Sequence, residues 1–397
     1  MENHLYSIKL ERESLGTDNE RLEDMKYFLN ENKELDRKIR DKFPISFFGN
    51  PKDFLRIKGS KTLIKAYEEL DDEKYDFNEA LGNIEYTGIY HDNELIFNFP
   101  TQEIKAVSIY NFKNEFLREF SIEKYVDFCI KNDCNDLVKE NLDNLFEKFG
   151  SKEKQYRLLR DRDDEWRIRG FTSSRYNNYD NSIAVYLSLL SLHKYAQTKD
   201  IVYNIDRAYL SDSSIYILFE QEEPIKVKDI GDIYLGIAVS NGEIRNRTFK
   251  FDIRYKVINT DKKVKFSAIL NNSIFSIVHS MGVLKVEECL NNLTKLDEHT
   301  DSIIKFISDL NYMEPLSNDA TYMLMNDLIE RITSCSDISK KTKDSFKQAE
   351  FNKIVDNTLT LIEFLNKANS IQTDIDERIF IERILQQVME NYVDKRK

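Results

Sequence analysis

Six arginines, Arg157, Arg160, Arg162, Arg167, Arg169 and Arg175, fall within nineteen residues, interleaved with Tyr156, Trp166, Phe171, Tyr176 and Tyr179. Guanidinium forks match phosphate oxygens in pairs and aromatic rings stack on unpaired bases, so this mixture suits single-stranded nucleic acid and needs no catalytic group. A second cluster, Arg245, Arg247, Lys250, Arg254 and Lys256, alternates in part with Phe249, Phe251, Ile253 and Tyr255. In a strand, side chains alternate between faces, which puts Lys250, Arg254 and Lys256 on one face and the four apolar residues on the other. The expected phosphate contacts are Arg167, Arg169, Arg175, Lys250, Arg254 and Lys256, with Trp166, Tyr176 and Tyr179 as stacking partners. A competing account has Asp161, Asp163, Asp164 and Glu165 neutralise the arginines across a hairpin, leaving an ordinary solvated strand face.

Other chemistries leave less trace. No G-x-S-x-G, G-x-x-x-x-G-K-[ST] or G-x-G-x-x-G occurs, so the turns that expose a nucleophile or cradle a nucleotide phosphate are missing. Cys129, Cys134, Cys289 and Cys335 have no C-x-x-C spacing and no nearby histidine, and read as free buried thiols rather than zinc ligands. Asp206, Asp212 and Glu220 could join a metal-dependent nuclease array, but each reads first as a solvated turn acid. His279 lies at a sheet-to-helix junction and reads as a packing or capping residue. No catalytic residue, metal or cofactor is expected.

Charge is distributed unevenly. The 397 residues carry a formal charge of −12, whereas residues 151–272 hold 21 Lys+Arg against 17 Asp+Glu, leaving −16 on the flanks. Local rather than net charge decides whether a phosphate backbone is attracted. With 25 Phe and 21 Tyr the chain can bury a sizeable core, and only 11 Gly and 5 Pro exclude collagen-like or Gly-punctuated architectures. No run of about 18 apolar residues could span a bilayer, and the start lacks the layout of a signal peptide, so a cytoplasmic protein without membrane contact is expected.

The elements that must position these residues follow from periodicity. Leu22, Met25 and Leu29 predict a charged helix within residues 1 to about 43, and a small sheet follows in Ile84–Tyr90, Glu94–Phe99 and Ile104–Tyr110, turning at His91–Asn93. Ile122–Phe149 reads as helix broken near Asn132–Asn135 and ending at Gly150, the first expected boundary. Candidate strands are Gln155–Arg160, Trp166–Phe171, Ile201–Leu210, Ile215–Phe219, Ile233–Ser240, Thr248–Val257 and Val264–Leu270, with one amphipathic helix, Ile183–Tyr195, among them. Their short links favour an antiparallel sheet. Beyond residue 277 a long apolar stripe from Val286 to Leu310, a helix capped by Ser317, and the sets Val355–Leu365 and Ile379–Tyr392 are helical. The expected fold is α+β: a helical N-terminal extension with a small sheet (1–150), a central, mainly antiparallel sheet domain with one crossing helix (151–275), and a helical C-terminal region (276–397).

Residues 154–330 contain Arg169-Gly170-Phe171-Thr172-Ser173-Ser174-Arg175-Tyr176 with Asp180-Asn181 trailing, then Gly236-Ile237-Ala238-Val239-Ser240-Asn241-Gly242-Glu243, then His279 to Gly282 opening a helix. In order and spacing these blocks resemble the phage/plasmid-like protein family of unknown function (the domain of unknown function 932 type). Val257-Ile258-Asn259-Thr260 departs from that family's usual Cys-x-Asn-Gly, and the first 150 residues look like an addition. The resemblance implies a mobile element and neighbours in DNA metabolism or anti-defence; it brings no activity. A sheet with a crossing helix is also similar, at fold level, to strand-annealing proteins.

The resulting expectation is a non-enzymatic accessory protein of a phage or plasmid, an oligomer whose central domain binds single-stranded DNA or RNA. The alternative is a protein-interaction or structural subunit, a host-factor or defence inhibitor or a virion component, engaging a basic host protein through its acidic helical flanks. The two separate on whether the central arginines stand free or are neutralised.

Overall fold

The computed structural model describes residues 5–70, 73–244, 247–260, 263–311, 315–347, 360–371 and 373–394. They form an α+β fold with a large antiparallel sheet and helical regions toward both ends. In chain order the first eight strands are β1 (Ser7–Glu11), β2 (Ile57–Lys58), β3 (Lys74–Ala80), β4 (Glu85–Ile89), β5 (Leu95–Phe99), β6 (Ile104–Ser108), β7 (Glu153–Arg160) and β8 (Trp166–Ser173). The next six are β9 (Tyr203–Ser211), β10 (Ser214–Gln221), β11 (Ile225–Val227), β12 (Gly231–Gly242), β13 (Phe249–Asn259) and β14 (Val264–Ile277).

The larger sheet runs β1-β9-β10-β12-β13-β14, antiparallel throughout, with β11 folded back on β12 and β2 parallel to β9. Short links dictate this meander. Between β9 and β10 the Ser211 hydroxyl accepts the Ser214 N–H and donates to its carbonyl, closing the turn. Gly236 sits opposite Glu220 on one side and Arg254 on the other, and a Cβ there would meet the Phe219 carbonyl oxygen at 2.0 Å. The sheet also curls. Strands about 4.8 Å apart put β13 roughly 14 Å from β9 in a flat sheet, yet Arg254 Nη1 lies 3.0 Å from Asp206.

The central helix, Asn181–Lys199, packs beside β12 and is buried on every side from Ile183 to His193. It is apolar all round rather than amphipathic, because Leu22, Met25, Phe28, Phe43 and Phe48 of the N-terminal segment join the same core. The Tyr186 hydroxyl donates to the Phe43 carbonyl at 2.7 Å. That segment is not the single charged helix its composition suggests: β1 pairs along β9, a short 3-10 helix spans Leu22–Phe28, and one α-helix covers Glu34–Lys42.

The smaller sheet runs β3-β7-β8-β6-β5-β4, antiparallel except where β6 meets β8. The helices Phe112–Arg118, Glu123–Lys131 and Asn135–Lys148 close its core with Phe97, Tyr156, Ile168 and Phe171. Strand pairing therefore crosses the boundary expected at Gly150. The β7–β8 hairpin completes a sheet begun by residues 74–108, and β1 and β2 complete the sheet of the middle segment.

Toward the C-terminus the stripe from Val286 to Leu310 forms Val283–Asn291 and Leu296–Asn311, joined by a 3-10 turn. The Ser317 hydroxyl caps Asn318–Ser334 by accepting the Ala320 N–H. Leu361–Asn369 and Ile375–Asp394 pack on β14; the first part of the expected helix Val355–Leu365, to residue 359, lies outside the described residues. Among the described residues, no helix is long and apolar enough to cross a membrane.

Candidate functional site

Two of the arginines in the dense stretch never reach solvent. Arg157 and Arg169 project from β7 and β8 toward the end of the larger sheet and are 0% and 1% exposed. Arg157 holds Asp76 at 2.9 Å, Asp180 and the Glu243 carbonyl, while Arg169 pairs with Glu243. Lys74 adds a 3.0 Å bridge to Glu243, and Lys33 reaches Asp180 at 2.7 Å. The Glu243 oxygen that bridges Lys74 also accepts the Asn181 N–H at 2.8 Å, fixing the start of the central helix. Burial alone would push the Glu243 carboxyl up, but Lys74, Arg169 and Arg157 outweigh it and hold it down at about 2. Burial likewise opposes charge on Asp180, which Arg157 and Lys33 keep well below its usual value. Asp76, Asp180 and Glu243 thus bind the chain's own cations where the two sheets meet.

The second cluster is also occupied. Arg254 and Lys256 are buried, Arg254 against Glu382 of the C-terminal helix Ile375–Asp394 and Lys256 between Glu220 of β10 and Tyr234 of β12. Arg254 Nε lies 2.8 Å from Glu382, Nη1 faces Asp206, and Lys256 pairs with Glu220 at 2.5 Å. Arg12 adds a 2.9 Å bridge to Glu220. Asp206 and Glu220, considered above as nuclease acids, therefore do converge, but around a guanidinium. Asp212 accepts the Tyr110 hydroxyl instead. Among the described residues, no group of three or more His, Cys, Asp or Glu side chains is arranged to hold a metal ion.

At the tip of the β7–β8 hairpin the neutralising account holds. Arg167 pairs with Asp161 at 2.7 Å and with Glu165, and Arg160 spans Glu73 and Asp164 at 3.1 and 2.8 Å. Trp166 is half-buried between Tyr75 and Arg160. Tyr179 is fully buried, its hydroxyl donating to the Met281 carbonyl at 2.8 Å. Buried or paired in this way, Arg169, Arg254, Lys256, Arg167 and Tyr179 do not form the open basic face expected of them.

What remains gathers elsewhere. A cleft of about 600 Å³ is lined by Ser173 at the end of β8, Tyr176 in the turn after it, Ser240 of β12, Arg247, Thr248 and Lys250 at the start of β13, His279 and Ser280 after β14, and Arg383 of the C-terminal helix. None of these lining residues is acidic. Arg383 shares charge with Asp252 and Arg247 with Asp337, whereas Lys250 forms no ion pair among the described residues. Arg175 is exposed, in the turn between Ser173 and Tyr176. Tyr176 stacks on His279 with ring centroids 4.8 Å apart and 6° between planes. The His279 Nδ1 donates to the Asn177 carbonyl at 3.2 Å, and burial, with Arg157 nearby, pushes its pKa down.

Of the nine expected site residues, the structure therefore brings Tyr176 and Lys250 to one cleft, with Arg175 exposed beside Tyr176 in the chain but outside the lining. His279 and Arg247 carried local signals, a junction position and membership of a basic cluster; Arg245 of that cluster lies outside the described residues. Arg383 carried none, since it comes from a helix more than a hundred residues beyond the sheet. The four cysteines are free, Cys129 buried and the others half-buried. Comparison of the chain with protein-family models, with curated proteins and with solved structures finds no match.

Proposed function

We propose that this protein is a non-enzymatic accessory factor that binds single-stranded nucleic acid at the cleft between the two sheets and the C-terminal helix, not across the β7–β8 hairpin. The observation that carries this reading is the acid-free cleft in which Lys250, Arg247 and Arg383 converge with hydroxyls and a Tyr176–His279 stack. Cations and hydroxyls together suit phosphate oxygens, and an aromatic stack offers a base a flat neighbour. Its setting on a phage or plasmid rests on the motif resemblance alone.

With Arg247 and Arg383 partly balanced by aspartates, few phosphates are neutralised. About three contacts give a slope of roughly −2 in log affinity against log salt for a single strand. Anisotropy of labelled single- and double-stranded oligonucleotides across a salt series tests this. Arg175→Ala and Lys250→Ala should each weaken single-strand binding several-fold and flatten the slope; binding indifferent to both, or none at low salt, refutes the site.

The neutralised hairpin favours a second reading, a protein-interaction subunit. Leu284 and Met323, on helices of the acidic flank, are 73% and 60% exposed, and apolar side chains presented this way suit a protein partner. Failure to bind nucleic acid together with stoichiometric retention of one protein on the immobilised chain would support it.

A further inference from the structure

The cleft that takes the strand is basic at one spot and not along a track. Lys250, Arg247 and Arg383 meet in its lining, and the aspartates that steady the two arginines, Asp337 and Asp252, lie outside it. Cations that could have carried a backbone onward are spent, Arg160 and Arg167 on acids near the hairpin tip and Arg254 and Lys256 on Glu382 and Glu220. Arg175, exposed in the turn beside Tyr176, offers one further contact.

Size points the same way. Grooves that track single strands take about 4–16 nucleotides, whereas about 600 Å³ is the scale of one small ligand. The lining holds one aromatic pair, Tyr176 on His279, enough for one base. An internal phosphodiester carries a single negative charge. A terminal phosphate ester carries about −1.5 to −2 at pH 7 and offers three acceptor oxygens, which the converging cations and the hydroxyls of Ser240, Thr248 and Ser280 can meet together. Resting on the reading of the cleft as a single-strand site, we infer that it holds the phosphorylated end of the strand. The terminal phosphate sits among Lys250, Arg247 and Arg383, the end base lies against Tyr176, and the next phosphate turns toward Arg175.

A short oligothymidylate labelled at an internal base, carrying a 5′-phosphate, a 3′-phosphate or neither, is titrated with the full chain and followed by anisotropy. One phosphorylated form should bind about tenfold more tightly than the unphosphorylated strand and the other within twofold of it, which sets the strand's direction in the cleft. Lys250 is half-buried, so Lys250→Ala should fold, as its melting temperature will show, and bring the preference within twofold, while Lys250→Arg should keep most of it. Arg175→Ala should weaken all three strands alike, because Arg175 lies outside the lining. Three strands bound equally, a gain shared equally by both ends, or a preference that survives Lys250→Ala would overturn the end assignment and leave the protein a nucleic-acid binder. Failure to bind any of the strands would overturn both readings.

Discussion

Glu243 lies where the two sheets meet, so changing it to Gln tests whether this junction is electrostatic. The isostere keeps the volume and an oxygen for the Asn181 N–H, removes the charge that Lys74 and Arg169 face, and replaces the oxygen that accepts from Arg169 with an amide that cannot. Its carboxyl is held at about 2 in the folded chain, against an ordinary value of 4.5. At about 1.4 kcal/mol per pH unit this difference is worth roughly 3 kcal/mol at neutral pH. Breaking a buried ion pair by removing one partner costs a comparable ~3–5 kcal/mol. For 397 residues, with about 2.1 cal/mol/K of unfolding entropy each, 3 kcal/mol lowers the melting temperature by about 4 °C. The sign with pH follows from the lowered value. The carboxylate contributes fully above pH 4.5, and its contribution disappears as pH falls toward 2, so wild type and Glu243→Gln should converge in acid. Calorimetry at pH 7, 4.5 and 3 measures this. A variant melting within about 1 °C of wild type at pH 7, or a gap that does not narrow in acid, would refute the junction's dependence on this charge.

Other positions give separate tests. Gly236→Ala places a methyl group against the Phe219 carbonyl and should cost about 3 kcal/mol or more by prising β10 from β12, seen as a lower urea midpoint. Arg254→Met takes the cation from the largely buried Asp206 and leaves the buried Glu382 with Arg378 alone, and a loss of about 3 kcal/mol in the same assay is expected. Burial pushes His193 down to about 4, and its Nδ1 accepts the Arg56 N–H at 2.9 Å. The neutral ring is thus the stabilising form, so stability should fall between pH 6.5 and 4, and His193→Gln should flatten that segment of the pH profile. Asp164→Asn removes one contact of the surface-exposed Arg160 and should change stability by less than about 1 kcal/mol.

Much of this fold is written in short-range patterns. The break between Lys131 and Asn135, the turn at His91–Asn93 and the Ser317 cap each depend on neighbours within a few residues, and all occur in the structure. Pairing across the chain is less visible. Ile8 and Leu10 do alternate with Ser7, Lys9 and Glu11, a strand pattern, but five residues beside a charged segment are outweighed by their surroundings, and the partner, β9, begins almost two hundred residues later. The assignment of β7 and β8 to the smaller sheet has the same cause: a hairpin's sequence fixes its own register, not the sheet it joins.

The basic stretch shows why a binding surface is harder to read than a strand. Arginine at alternate positions looks the same whether its face meets water, phosphate or a carboxylate from a distant element. Here Asp76, Asp180 and Glu243 come from three places in the chain to meet Arg157 and Arg169, and Glu382 comes from the C-terminal helix to meet Arg254. Asp76 and Glu382 belong to flanks whose summed charge suggested repulsion from nucleic acid, while Asp180 and Glu243 lie within the segment whose arginines suggested attraction. Net charge by segment misleads whenever the two signs meet inside the fold, because a buried pair contributes little to the external field. The cations free to act outward are those without such partners, and Lys250 in the cleft and Arg175 in the turn next to Tyr176 are the ones for which a salt-dependent affinity is the deciding measurement.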